Sequence, residues 1–244
     1  MSEYLCLRFF ESEIDTASVV SWSVLSATAQ IIASGQVLLD QLQQAIAAST
    51  DEIENITRTI VIVPSTAALL TEAELSSSQR KHLKQVLPYL IEDQVIDPIE
   101  SMHLAIPVLH EGERVPVVAM AKHTMATYLY QLAEVDISPD YLFLDACCVP
   151  NKQGQWQVML DADRVLFRSG RYSGMSVDFD MADSVLRLAM GSLSDNSADK
   201  DSDEESVPVS DETLPEALDE TVNLIAADEA DSHLLGELFQ HSAQ

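Results

Sequence analysis

Imidazoles, thiols and carboxylates are the groups through which this chain could hold a metal or do nucleophilic chemistry, and their spacing supports little of either. Six histidines stand at 82, 103, 110, 123, 233 and 241, and no two share a helical spacing that would face one metal ion within a carboxylate cluster. Cys147 and Cys148 are adjacent, so on a strand their side chains point to opposite faces and are awkwardly placed to clamp one ion. With Cys6 they make three cysteines, which is no disulfide framework and fits small buried apolar residues in a reducing compartment. There is no G-x-S-x-G elbow and no G-x-x-x-x-G-K-S/T loop, and seven glycines offer little material for a phosphate cradle. Arg168, Arg171 and Tyr172 stand apart, because basic and aromatic side chains cluster there in an otherwise acidic chain. Such residues are common interface anchors, so the chemistry they suggest is recognition of a partner, with a solvated hairpin face as the plainer reading.

The charge narrows the partners. Over 244 residues the formal net charge is −27, and 15 of the 40 acids lie between Asp195 and Glu237 beside the single base Lys200. Without that stretch the rest still carries −13. Nucleic-acid phosphates and anionic membrane surfaces would both repel such a chain. No run of about 18 apolar residues and no basic, apolar leader at Met1 occurs, so a soluble polypeptide is expected.

The elements that would position these groups follow from periodicity. Residues 4–10, 18–25 and 30–37 read as strands, 38–48 as a helix, and 58–63 as a β-branched strand buried on both faces. A short strand over 68–75 leads to a long amphipathic helix from Ser76, with Ser76 and Gln79 spaced as a capping box. Leu83, Leu87 and Leu90 should face the first sheet, and Pro88 should kink the helix or restart it after Val86. Strands over 102–109 and 115–121, joined through HEGER, and a helix over 123–134 read as a small insertion. Strands over 141–147, 156–160, 165–169 and 174–177 and a helix over 181–190 follow. Residues 192–211 are Ser/Asp/Glu-rich and expected to be disordered, and 214–227 and 234–239 recover helical spacing.

The segment from Ser76 to Ala105, SSSQRKHLKQVLPYLIEDQVIDPIESMHLA, resembles the cytoplasmic part of protein L of type II secretion systems, the GspL or EpsL family, which has a similar VLPYLLEDE run at the same place. Trp22 with IIASG at 31–35 is similar to that family's opening hairpin, and TIVIVPST at 59–66 to its next buried strand. The element order is also that of ribonuclease H-like units, and the middle section resembles the actin-like pilus protein PilM and division protein FtsA. The expected fold is therefore α/β with actin-like, ribonuclease H-like lobes. The first would span 1–100, a small inserted subdomain 101–138, and the second 139–191 plus 212–244, interrupted by the acidic insertion 192–211.

Actin-like enzymes hold nucleotide phosphates with two D-x-G hairpins, so the resemblance poses a test of the residues. The first would fall at Arg8-Phe9-Phe10-Glu11, which has neither aspartate nor glycine. The second best matches Leu160-Asp161-Ala162-Asp163, where alanine replaces glycine and Arg164 follows, so Asp161 and Asp163 read as turn formers. The nucleotide site is expected to be degenerate, with no cofactor and no metal. The resemblance implies a non-enzymatic scaffold that recruits the secretion ATPase GspE through its N-terminal domain. It also implies GspM and self-association as contacts of a longer protein, which would continue past Gln244 into a transmembrane helix of the inner membrane and a periplasmic domain. An active actin-like ATPase binding Mg-ATP between its lobes is the alternative. An acidic chaperone-like or nucleic-acid-mimicking protein is a third reading, suggested by charge alone.

Overall fold

The structure, a computed structural model, describes residues 3–49, 56–76, 78–107, 114–152, 155–161, 163–187 and 221–225. The chain divides into two units, residues 1–148 and 149–244.

The first unit starts with alternation that is visible in the sequence. Strand β1 (Glu3–Phe9) buries Leu5, Leu7 and Phe9, and β2 (Val19–Leu25) buries Val20, Trp22 and Val24 on the same side. β3 (Ile31–Leu38) continues this antiparallel meander, and helix α1 (Leu42–Ser49) inserts Leu42 and Ile46 beneath it. β4 (Ile56–Val63) then runs parallel to β1. It buries Thr59, Val61 and Val63 while Ile60 and Ile62 are only partly buried, so one face is covered more fully than the other, short of the full burial expected on both.

An inserted sheet comes next. β5 (Ala68–Glu74), β6 (Met102–Ala105) and β7 (Arg114–Ala121) form an antiparallel sheet in the order β5-β7-β6. Helix α2 (Leu83–Ile91) seats Leu87 and Ile91 against Ala73, Val117 and Ala119 of that sheet. The apolar face of α2 therefore covers the inserted sheet, not the first one as its spacing alone suggested. The reason is chain connectivity: β5 pairs along its whole length with β7, and α2 follows β5 after one short connection. Ser76 and Gln79 do interact, with the Ser76 amide donating to Gln79 Oε1 at 3.0 Å, but they close a turn ahead of a 3-10 segment (Arg80–His82) and α2 starts only at Leu83. Pro88 lies within α2 without ending it, at the cost of one ladder donor.

Helix α3 (Lys122–Glu134) returns to the first sheet and buries Tyr128 and Leu132 there. β8 (Tyr141–Leu144) then pairs in parallel with β4 and completes the order β3-β2-β1-β4-β8. The strand expected over 141–147 thus closes the first sheet rather than opening a second, and its last residues wind into a helical turn, α4 (Asp145–Cys148).

The second unit repeats this order on a smaller scale. β9 (Gln155–Asp161), β10 (Arg164–Gly170) and β11 (Ser173–Asp178) form an antiparallel meander, and β12 (Thr221–Ile225) pairs in parallel with β9. Helix α5, residues 179–187, places Ala182 and Leu186 on Val158, Leu160, Val165 and Phe167. β12 replaces the part of the helix expected over 214–227 that is described: Thr221, Val222 and Ile225 are β-branched, and parallel pairing outweighs a weak helical spacing, while the remaining residues of that stretch lie outside the described ones. The acidic insertion 192–211, the helix expected over 234–239 and most of the HEGER turn lie outside the described residues.

The IIASG motif now has a physical cause. Gly35 stands opposite Trp22 in the β2–β3 pair, and a Cβ there would meet indole Nε1 at 3.0 Å and ring carbons at 3.2 Å. Trp22 is buried in the core and has little room to swing away. Gly35→Ala is expected to destabilise the protein by about 1–3 kcal/mol through overpacking. Urea denaturation would read this as a lower midpoint, and an unchanged midpoint would mean that the ring tilts aside freely.

Candidate functional site

In open α/β sheets, ligands gather beyond the carboxyl ends of parallel strands. In the first unit those ends belong to β1, β4 and β8, so the groups to inspect are Phe10 to Ser18, Pro64 to Thr66, and Asp145.

The connection after β1 is closed rather than cradling. Ile14 is buried, and Asp15 organises the far end by accepting from the Ala17 amide at 2.9 Å while its own amide donates to Ser18 Oγ at 2.9 Å. The Tyr128 hydroxyl donates to the Glu11 carbonyl at 2.6 Å, and the Tyr128 ring meets Phe9 edge-on at 5.5 Å. A phosphate hairpin instead needs glycine and a concave row of free amides. Glu11 and Glu13 project carboxylates from this stretch into solvent, which would repel a phosphate. Among the described residues the non-glycine positions with left-handed φ are Ala29 and Asp136, both in other turns.

At the ends of β4 and β8 the polar groups satisfy one another. The Ser65 amide and hydroxyl donate to Asp145 Oδ1 at 2.8 and 2.5 Å, and the Ala146 amide lies 2.6 Å from the same oxygen. Both residues are buried. This pair staples β8 to β4, and its shared oxygen is already taken up by three donors.

In the second unit, Asp161 and Asp163 flank the β9–β10 turn. Asp161 pairs across the ladder with Arg164, and the Asp163 carbonyl accepts from the Phe179 amide at 2.8 Å, fixing the start of α5. Ala162 lies outside the described residues. Among the described residues no three His, Cys, Asp or Glu side chains come together as a metal site. Burial pushes the Cys6 thiol up, away from an activated thiolate, and Cys147 and Cys148 lie on α4 outside any disulfide, the Cys148 thiol donating to the Leu144 carbonyl at 3.5 Å.

The three suggested partner-binding residues part company. Arg168 is 7% exposed and folds into its own hairpin, with Nε donating to the Gly170 carbonyl at 2.8 Å and an Nη to the Arg171 carbonyl at 2.6 Å. Arg171 is exposed at the tip of the same hairpin, its guanidinium 5.2 Å from the Tyr172 ring centre. The signal that drew attention to Arg168 was its charge; nothing in the sequence marks it as the residue that holds the turn. Sequence reading also passed over Tyr141 and Phe143, which stack at 6.1 Å on the exposed edge strand β8, with Arg58 5.9 Å from the Tyr141 ring centre.

Two ribonuclease H-ordered sheets, the first carrying an inserted sheet between its last two strands, define an actin-like α/β protein in which polar groups at the first carboxyl edge are held by its own side chains. The chain belongs to the family of type II secretion system protein L, whose sequence model matches residues 9–236. Protein L of Pectobacterium carotovorum is 28% identical over 72% of this chain and 41% of its own length. Protein L of Vibrio cholerae is 27% identical over 73% of this chain and 42% of its own length. The chain thus spans about two fifths of the length of these relatives. In three dimensions it superposes on the cytoplasmic domain of EpsL, an inner-membrane component of the Vibrio cholerae type II secretion system, with a TM-score of 0.66 at 20% identity, covering 99% of this chain and 94% of that one. The PilM-PilN type IV pilus biogenesis complex gives a TM-score of 0.58 at 14% identity over 98% of this chain and 86% of that one, a likeness of fold.

Proposed function

We propose that this chain is a non-enzymatic scaffold of the type II secretion inner-membrane platform, which recruits the secretion ATPase GspE through that protein's N-terminal domain and couples it to the membrane assembly. The observation that carries the reading is that polar groups at the carboxyl edge of the first sheet are taken up by one another: Tyr128 holds the β1–β2 connection through the Glu11 carbonyl, and Ser65 occupies Asp145. Membership of the protein L family supports a role in secretion, and similarity to the cytoplasmic domain of EpsL supports a cytoplasmic position. No helix among the described residues is long and apolar enough to cross a membrane. In this reading a transmembrane helix of a longer protein makes the attachment to the inner membrane. GspM and further copies of protein L are the other partners in this reading.

Two measurements test it. Titration calorimetry with Mg-ATP is expected to be silent, and a pull-down with the N-terminal domain of the cognate secretion ATPase is expected to succeed without nucleotide or membrane. Saturable micromolar ATP binding with turnover would replace the scaffold by an actin-like ATPase, and no complex at tens of micromolar would remove the recruiting role. Arg171→Glu should weaken the complex if the β10–β11 tip contributes, and rising salt should weaken the unsubstituted complex while narrowing the difference between the two. Arg168 is unsuited to that test, because reversing its charge would also break the hairpin it holds.

A further inference from the structure

α2 covers only part of the inserted sheet, and where it ends the sheet is left hollow. A groove of about 360 Å³ opens there, within the size range of ligand pockets. Ala119 and Ala121 of β7 form a shallow floor, with Leu69, Val95, Ile96 and Met102 as apolar walls. Ile96 is 104% exposed, and Leu69 is exposed as well. A branched side chain held wholly in water at the mouth of an apolar groove gains from any occupant that covers it.

The rim sets the sign of that occupant. Glu13 and Asp97 line the groove and are exposed. Glu11, Asp93 and Glu100 lie near them along the chain and are exposed too. Facing these acids are His123 at the groove and Lys122, whose ammonium donates to the Glu100 carbonyl at 2.6 Å. A second copy of this chain, or its own acidic stretch, would bring mainly like charge to such a rim.

We propose that this groove docks an extended segment of a partner protein that presents an aliphatic side chain flanked by lysine or arginine. The aliphatic group fills the space above the alanine floor and covers Ile96, while the flanking cations meet Glu13 and Asp97. The inference rests on the groove's own shape and charge and stands whether or not the secretion ATPase is the partner.

The test uses the full 244-residue chain and two labelled synthetic peptides, acetyl-GKIRLKG-amide and its equally charged polar counterpart acetyl-GKSRSKG-amide, followed by fluorescence anisotropy. The aliphatic peptide is expected to bind saturably and about tenfold or more tighter than the polar one. Ile96→Ser and the pair Glu13→Lys with Asp97→Lys should each weaken it by a similar factor while leaving the melting temperature unchanged, because all three side chains are exposed. Added salt should weaken the aliphatic peptide's binding as well. Equal binding of the two peptides would show attraction by overall charge alone and overturn the proposal. So would affinity that survives both sets of substitutions, or no saturation up to about 1 mM peptide.

Discussion

Tyr128→Ala is expected to lower the stability of the protein by about 3–5 kcal/mol, the cost of removing a large aromatic side chain from a packed core. Tyr128 is fully buried, meets Phe9 edge-on and gives the Glu11 carbonyl its hydrogen bond, so its loss opens a cavity under the first sheet and releases the β1–β2 connection together. Tyr128→Phe separates the two effects: it keeps the ring and removes only the hydroxyl, and should cost about 1 kcal/mol. Urea unfolding of the three proteins measures both. A loss below 1 kcal/mol for the alanine variant would mean that α3 does not seal this sheet.

Leu87→Ala comes next, with an expected loss of about 2–5 kcal/mol. Leu87 is buried against Ala73, Val117 and Ala119, small residues that offer little material to collapse into the space it leaves. Tyr89, on the outer side of the same helix and 76% exposed, is the control: Tyr89→Ala should change stability by less than about 0.5 kcal/mol. Equal effects at the two positions would contradict the placement of α2 on the inserted sheet.

Local elements were readable because alternation and helical spacing are properties of neighbouring residues. β1 and β2 bury every second side chain as their sequences suggest, and Leu87 and Ile91 lie on one face of α2 as their spacing requires. Sheet membership was not readable, because it depends on pairing between distant segments. Residues 68–74 and 141–144 are short strands that could join either neighbouring sheet, and only their registers with β7 and β4 decide. β12 was hidden because residues 214–227 recover a helical spacing, which outweighed the β-branched Thr221, Val222 and Ile225 within them. The candidate site divided in the same way. The missing glycine and aspartate after β1 were plain in the sequence, but Tyr128 and Asp145, which close that edge, stand 117 and 80 residues from the groups they hold. The charge of Arg168 was visible and its burial was not.

The place of β8 in the first sheet has a consequence for how the chain is made. A polypeptide leaves the ribosome from its N-terminus, and domains fold as their residues become available. The inserted sheet has all its strands once Ala121 has emerged, whereas the first sheet waits for Tyr141–Leu144 to take the edge beside β4. The guest sheet can therefore be complete while its host still exposes β4 as an open edge, the kind of unpaired strand that invites association between nascent chains. The Ser65–Asp145 staple forms only when β8 docks, so it marks the moment at which that vulnerable interval ends.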